Sequence, residues 1–418
     1  MPSFEYNLPR RAPATAPAAQ PKTPVLIPEL IFYAVILILP FEQMTTFAGF
    51  AITKWVGGCF FILALAFPKL FFGVFPKSFI FFFLYISIGM LIDIVSFPLT
   101  FQSINEFVRP ALMGVLMLAT YNLAINKRFG RIIFVIYLSS LIYVIFQVFE
   151  LGGAYTRVDA EVVGKETFER IAVLSTDENF AACYFAISVL VGLIHGLNLV
   201  PTKLKYRVLA LLGSAIGFYA ILKTASRGGF IAITGAVMCI VFTAKILTVK
   251  VKYAFYVCFL LAAIIGTTMS TPLLRARMTA FFEKGETSGR TAIWEQTWQL
   301  AKESPIYGYG YRMHQFSLGA RTGKVQRGTH NLFLSVLLGS GFLGLSLFLC
   351  FYYQTFQAAW RARTEGLGKV VFLWFMLCFL ASMSLNSEIA KWFWIILALS
   401  LAAGKVYGKK PITTFQPT

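Results

Sequence analysis

Long apolar runs, interrupted at intervals by short polar stretches, organise this chain. In windows of roughly 19 residues they give about twelve candidate spans: 27–41, 52–68, 79–97, 107–125, 132–149, 172–194, 205–222, 229–247, 253–269, 331–356, 369–386 and 390–404. A helix needs roughly 20 residues to cross a bilayer, so the first run is short for a crossing. Glu106, Arg109 and Pro110 blur the start of the fourth. The runs are continuous and do not alternate, which excludes an outer-membrane barrel and predicts an all-α polytopic membrane protein.

The polar stretches carry a second pattern. One alternate set is basic: Arg10, Arg11 and Lys22; Lys69 and Lys77; Lys127, Arg128 and Arg131; Lys203, Lys205 and Arg207; Lys245, Lys250 and Lys252; Arg361, Arg363 and Lys369; Lys405, Lys409 and Lys410. Glu5 and Glu365 are its main acidic members. The positive-inside rule makes this set cytoplasmic, so both termini are inside and the span count is even. The expected organisation is a Pro/Ala-rich disordered cytoplasmic tail (1–26), nine transmembrane helices (27–269), a long outer loop (270–330), three more helices (331–404) and a cytoplasmic tail (405–418).

Composition agrees: 58% of residues are hydrophobic and only 13% charged, where soluble domains carry about 25% charged residues. A net charge of +19 would suggest nucleic acid in a soluble protein. Here positive-inside loading accounts for much of it, and membrane lipids, not nucleic acid, are the expected surroundings. The exception is the long outer loop, where Arg275, Arg277, Lys284, Arg290, Lys302, Arg312, Arg321, Lys324 and Arg327 outnumber Glu283, Glu286, Glu295 and Glu303. Positive charge on that side points to an anionic partner. The outer stretch 150–171 is instead acidic. All six cysteines lie inside apolar runs without ligand spacing and read as small packing residues. No metal site or cofactor is expected, and no phosphate loop, dinucleotide fingerprint or serine elbow is present.

Four constellations carry candidate chemistry. Lys223 and Arg227 are four apart and share a face if a helix runs through both. Gly228 and Gly229 follow and let the backbone turn near an anion. Arginine donates two parallel hydrogen bonds to a phosphate; the rival reading is a guanidinium snorkelling to lipid headgroups. Ser288 reads as the cap of a helix that has Arg290 in its first turn, Trp294, Trp298 and Ala301 on one face and Pro305 at its end. Helix amide groups and a guanidinium together suit an anion, and the tryptophans read as packing or interface anchors rather than sugar platforms.

His330 is one of three histidines. It sits where the loop re-enters the membrane, followed by Asn331, a good helix cap. A near-neutral imidazole can take a proton from an attacking hydroxyl; the rival is a histidine that caps the span or bonds lipid. His195 reads as structural and His314 as a surface loop residue. Asp177, Glu178 and Asn179 open the sixth span, placed to orient a sugar hydroxyl or pair with an arginine.

Ser226-Arg227-Gly228-Gly229, Gly289-Arg290 with Trp294, Pro305 with Gly308 and Gly310, His330-Asn331 and Gly341 with Gly344 together resemble the O-antigen ligase and polymerase superfamily. Asp177-Glu178-Asn179 resembles its acidic-Asn signature. The resemblance covers about residues 170–350 by motif and the chain by topology. It implies a GT-C-like, lipid-dependent glycosyltransferase of the bacterial inner membrane, with its site facing the periplasm. The ligase branch moves a polysaccharide from undecaprenyl diphosphate to a sugar hydroxyl of lipid A-core. It inverts the anomeric centre and uses neither ATP nor metal. In these terms Arg227 and Arg290 hold the diphosphate and His330 is the base. Beside the resemblance, the residues themselves add Lys223 as a further diphosphate ligand, Asn331, Asp177, Asn179 and Arg312 as substrate-positioning groups, and Arg312, Arg321, Lys324 and Arg327 as partners of a phosphorylated acceptor. An O-antigen polymerase, a pilin-directed O-oligosaccharyltransferase and, from another class, an anionic-lipid flippase are the alternatives.

Overall fold

The computed structural model describes residues 26–41, 46–47, 50–96, 101–149, 151, 155–163, 166–173, 177–284, 289–387 and 390–408; for 46–47, 50–51, 101–109, 155–163, 166–173 and 284 it describes the backbone alone. The expected tail 1–25, Ser288 and residues 409–418 lie outside these residues, as do the side chains of Glu106 and Arg109.

The protein is a predominantly helical, polytopic membrane protein. The first half forms α1 (Ile27–Ile38), α2 (Ile52–Ala66), α3 (Pro68–Phe71), α4 (Ser78–Ser96), α5 (Phe101–Leu123), α6 (Phe129–Val148), α7 (Glu178–Gly196) and α8 (Leu204–Thr224). The second half forms α9 (Arg227–Met238), α10 (Leu247–Ser270), α11 (Pro272–Lys284), α12 (Arg290–Glu303), α13 (His314–Arg321), α14 (Leu332–Ala362), α15 (Gly368–Ser382) and α16 (Lys391–Val406). Among the described residues, six helical stretches are long and apolar enough to cross a membrane, and four shorter apolar ones accompany them. One of the six, Pro110–Val148, joins α5 to α6 through a turn at Lys127, whose φ of 65° breaks the helix.

Among the described residues, two small antiparallel hairpins add to the helices: β1 (Thr46–Phe47) with β2 (Phe50–Ala51), and β3 (Tyr155–Val163) with β4 (Glu166–Val173). The second occupies most of the acidic stretch 150–171. It also takes the first residues of the sixth predicted span, because Val, Ile, Phe and Tyr there suit a strand as well as a helix. Helix α7 therefore starts later, at Glu178, capped by Asp177, whose carboxylate accepts the Asn179 amide.

Helix α7 is the hub, with 83% of its apolar window buried against 17% for α10. Its glycine face lets α8 approach closely: a Cβ on Gly192 would come within 2.4 Å of the Ala210 carbonyl oxygen. Small residues let membrane helices pack backbone to backbone in this way. Buried polar groups fix the register. Ser139 of α6 meets the Tyr184 hydroxyl at 2.9 Å, and the Trp374 indole of α15 donates to the Ile187 carbonyl at 3.1 Å. At the other end of the bundle Glu29, fully buried on α1, pairs with Arg128 at 2.7 Å. A buried carboxylate of this kind requires such a partner.

Helix α14 is 31 residues long and is broken at Gly341 (φ 63°, ψ −168°), a conformation open to glycine alone. Such a break frees backbone groups that hydrocarbon cannot satisfy. The segment Pro305–Gly310 satisfies them. Tyr309 and Gly310 amides donate to the Leu338 and Gly339 carbonyls at 2.8 and 2.9 Å, while Phe342 and Leu343 amides donate to the Pro305 and Ile306 carbonyls at 2.7 and 3.4 Å. The segment is splinted on its other side by Asp93 of α4, whose carboxylate accepts the Arg312 and Met313 amides at 2.8 and 3.2 Å. A Cβ on Gly310 would collide with that carboxylate, and one on Gly308 with the Leu338 carbonyl.

Candidate active site

Chain segments far apart in sequence meet where α7 and α9 begin, beside α12 and the loop before α14. The first segment is a relay. Asp177 Oδ1 accepts from the Asn179 side-chain amide at 2.8 Å. Asn179 Oδ1 accepts from the Ser226 hydroxyl at 2.6 Å, and Ser226 Oγ accepts the Gly229 amide at 3.0 Å. Ser226 thus caps α9, and the acidic-Asn motif holds the Ser-Arg-Gly-Gly motif in place. The glycines are needed for closeness: a Cβ on Gly229 would come within 2.4 Å of Ala182 Cβ, and one on Gly228 within 2.6 Å of Ser384 Oγ.

Arg227, the first residue of α9, donates to the Arg277 carbonyl at 3.3 Å and lies 5.9 Å from the Phe281 ring centroid. Arg277 in turn donates to the Ala225 carbonyl at 2.8 Å, so α11 is clasped against the break between α8 and α9. That break separates Lys223 from Arg227. Ala225 is left-handed (φ 48°) and ends α8, so the two cations do not share a helix face. The Lys223 ammonium sits 5.3 Å from the Tyr219 ring centroid.

Arg290 opens α12, whose preceding residue, Gly289, is left-handed (φ 74°). The helix buries Ile293, Thr297, Leu300 and Ala301, not the Trp294–Trp298 face expected from spacing. Trp298 is exposed beside Lys302. Trp294 donates its indole N–H to the Thr329 carbonyl at 2.9 Å, tying α12 to the histidine loop. Burial pushes the Arg290 guanidinium below its ordinary value; the Asp177 carboxylate opposes this and the Arg227 charge adds to it. These couplings put the three side chains within electrostatic reach of one another.

His330 is half-buried and left-handed, with φ 51°. Burial lowers its pKa from the ordinary 6.5, Arg290 lowers it further, Asp177 opposes and Arg327 adds to the lowering. The imidazole therefore favours its neutral, proton-accepting form. Asn331 caps α14, accepting the Leu334 amide at 3.1 Å and donating to the Met383 carbonyl at 3.2 Å.

Arg227, Arg290 and His330 thus belong to one electrostatic cluster with Asp177 and Arg327. Two other basic loop residues have partners of their own. Arg321 pairs with Glu303, and Arg312 lies 5.6 Å from the Phe316 ring centroid. His314 is not a surface residue: it is buried, with Nε2 3.0 Å from Ser335 Oγ. His195 bonds Thr202 at 2.9 Å at the end of α7.

Residues 212–349 match the family model described as O-Antigen ligase. The match spans 138 of the 418 residues. The matched segment runs from α8 through the break in α14 and contains Arg227, Arg290 and His330. A Pseudomonas aeruginosa protein described as an O-antigen ligase is 25% identical over 201 residues. That alignment spans 46% of this chain and 46% of the relative. The matched segment leaves out Asp177, Asn179 and Asn386, which meet it in space. Asn386, Thr329 and the clamping role of Trp294 escaped sequence reasoning. Trp294 and Thr329 lay beside recognised motifs, Gly289-Arg290 and His330-Asn331, and Asn386 did not.

Proposed function

We propose that the protein is an O-antigen ligase of the inner membrane, with about twelve spans, cytoplasmic termini, a GT-C-like architecture and a periplasm-facing site. It transfers a polysaccharide from undecaprenyl diphosphate to a sugar hydroxyl of lipid A-core. The observation that carries this reading is the shared electrostatic field of Arg227, Arg290 and His330, two cations beside a neutral imidazole, inside the ligase-family segment.

The donor arrives with its leaving group attached, so no nucleotide is required. His330 accepts the proton of the acceptor hydroxyl as its oxygen bonds the anomeric carbon. The bond from that carbon to the diphosphate breaks on the opposite face, and undecaprenyl diphosphate leaves with the electron pair. Arg227 and Arg290 bind that diphosphate more strongly as its charge grows, which lowers the barrier. Asp177 moderates the repulsion between the two arginines and holds Asn179 and Ser226 in the relay beneath them.

The test is complementation in a strain lacking its own O-antigen ligase. His330→Ala should leave lipopolysaccharide uncapped at normal protein level. Arg227→Ala and Arg290→Ala should each lose about 100-fold in transfer, matching the roughly 3 kcal/mol of one developing-charge contact. Full capping by His330→Ala would reject the reading.

A further inference from the structure

We propose that Asn386, on the turn between α15 and α16, and the indole of Trp294 are a positioning pair that fixes His330 against the two arginines; this rests on His330 being the base. A left-handed backbone at a non-glycine residue is strained and persists only where the surroundings over-determine it. His330 is so determined from both sides. Before it, Thr329 is fully buried; its carbonyl accepts the Trp294 indole at 2.9 Å, and its hydroxyl lies 2.9 Å from Asn386 Oδ1 and 2.7 Å from the Asn331 carbonyl. After it, the Asn331 amide lies 3.3 Å from the same Asn386 Oδ1. Gly328 completes the fit, since a Cβ there would come within 2.3 Å of Asn386 Nδ2. One carboxamide therefore contacts both neighbours of His330 and the glycine before them.

Each half of the pair also reaches one arginine. Trp294 stands four residues, one helical turn, after Arg290 on α12. Its bond to Thr329 sets the distance from that guanidinium to the imidazole. Asn386 is two residues from Ser384, the residue packed against Gly228 beside Arg227. The turn after α15 thus touches both the start of α9 and the histidine loop. Geometry that brings a base, an acceptor hydroxyl and a leaving diphosphate into line is worth large factors in rate, and shifts of about 1 Å cost on the order of 100-fold. A pair that holds this geometry should act on turnover and not on donor binding.

The experiment uses the full chain in proteoliposomes, with undecaprenyl-diphosphate-linked polysaccharide as donor and polymer-free lipid A-core as acceptor. Asn386→Ala and Trp294→Phe should lower kcat on the order of 10- to 100-fold with donor KM within about twofold. Asn386→Asp keeps the accepting oxygen and adds a negative charge beside His330. It should hold most of kcat above neutral pH and move the acid limb of the pH–rate profile upward. If Asn386→Ala does not insert, Asn386→Asp and Trp294→Phe carry the test. Wild-type kcat in Trp294→Phe and in an inserted Asn386→Ala, or an unmoved acid limb in Asn386→Asp, overturns the pair. A transfer-dead His330→Ala in the same assay then leaves the base intact. Full transfer by His330→Ala removes the base and the pair together.

Discussion

At the residue scale the site is a problem of like charges. Arg290 and Arg327 both press on His330, and Asp177 is the carboxylate that answers them. On the proposed role His330 works only while neutral, so rate should rise with pH through its pKa. In the free enzyme that pKa lies below the ordinary 6.5, and kcat/KM reports the free enzyme. Its acid limb should therefore fall below pH 6.5. The diphosphate brings negative charge that offsets the arginines, so the limb of kcat, which reports the donor complex, should lie at higher pH. Arg327→Gln removes one like charge and should move the kcat/KM limb upward; paired rate profiles of the variant and the parent would reveal it. Charge alone did not single out Arg290, one of nine basic residues in its loop; Arg227, Arg290 and His330 were legible through the glycine, tryptophan and asparagine motifs around them. Asn386 and Thr329 were not, because a small polar residue at a span end resembles any other until its partner is known. The separation of Lys223 from Arg227 was equally hidden, since alanine carries no signal for the left-handed turn it makes at position 225.

At the element scale, hydrophobic run length did most of the work. Every predicted span coincides largely with a helix, because backbone in lipid has few other ways to satisfy its hydrogen bonds. The start of the sixth span was misjudged where strand and helix preferences overlap. The break in α14 was visible only as glycine at positions 341 and 344. Its cause lies some thirty residues away, in the segment that supplies the missing backbone partners. That arrangement makes a specific prediction. In Gly341→Ala the new Cβ would meet the Ile306 carbonyl oxygen head-on, in a backbone conformation costing on the order of 1–3 kcal/mol by itself. The purified variant should melt several degrees lower in detergent and lose transfer. Asp93→Ala, which strands two amides in a buried place, should destabilise by about 1–3 kcal/mol, read as a lower midpoint of thermal unfolding. A melting curve like the parent's in both would show that the splint is dispensable.

At the scale of the whole molecule, burial is uneven. Helix α7 sits at the centre, and α10 leans on the outside with most of its apolar surface facing away from the protein. Helix α11 follows it and carries the contacts to Arg227. Amide exchange should follow this division. The Tyr309, Gly310, Phe342 and Leu343 amides should be among the slowest, and those of α11 among the fastest. Mass spectrometry of exchanged peptides would measure both, and equal rates would contradict it.

The borrowed turn that mends α14 has a mechanical consequence. Swinging Pro305–Gly310 aside would strand four backbone groups in hydrocarbon at once, each costing several kcal/mol. The wall that bears the imidazole and Arg290 is thereby riveted shut. On the function proposed above, the lipid tail of the donor would then arrive and depart beside α10, which is the least buried of the long apolar helices, and α11, which Arg227 and Arg277 hold through their side chains.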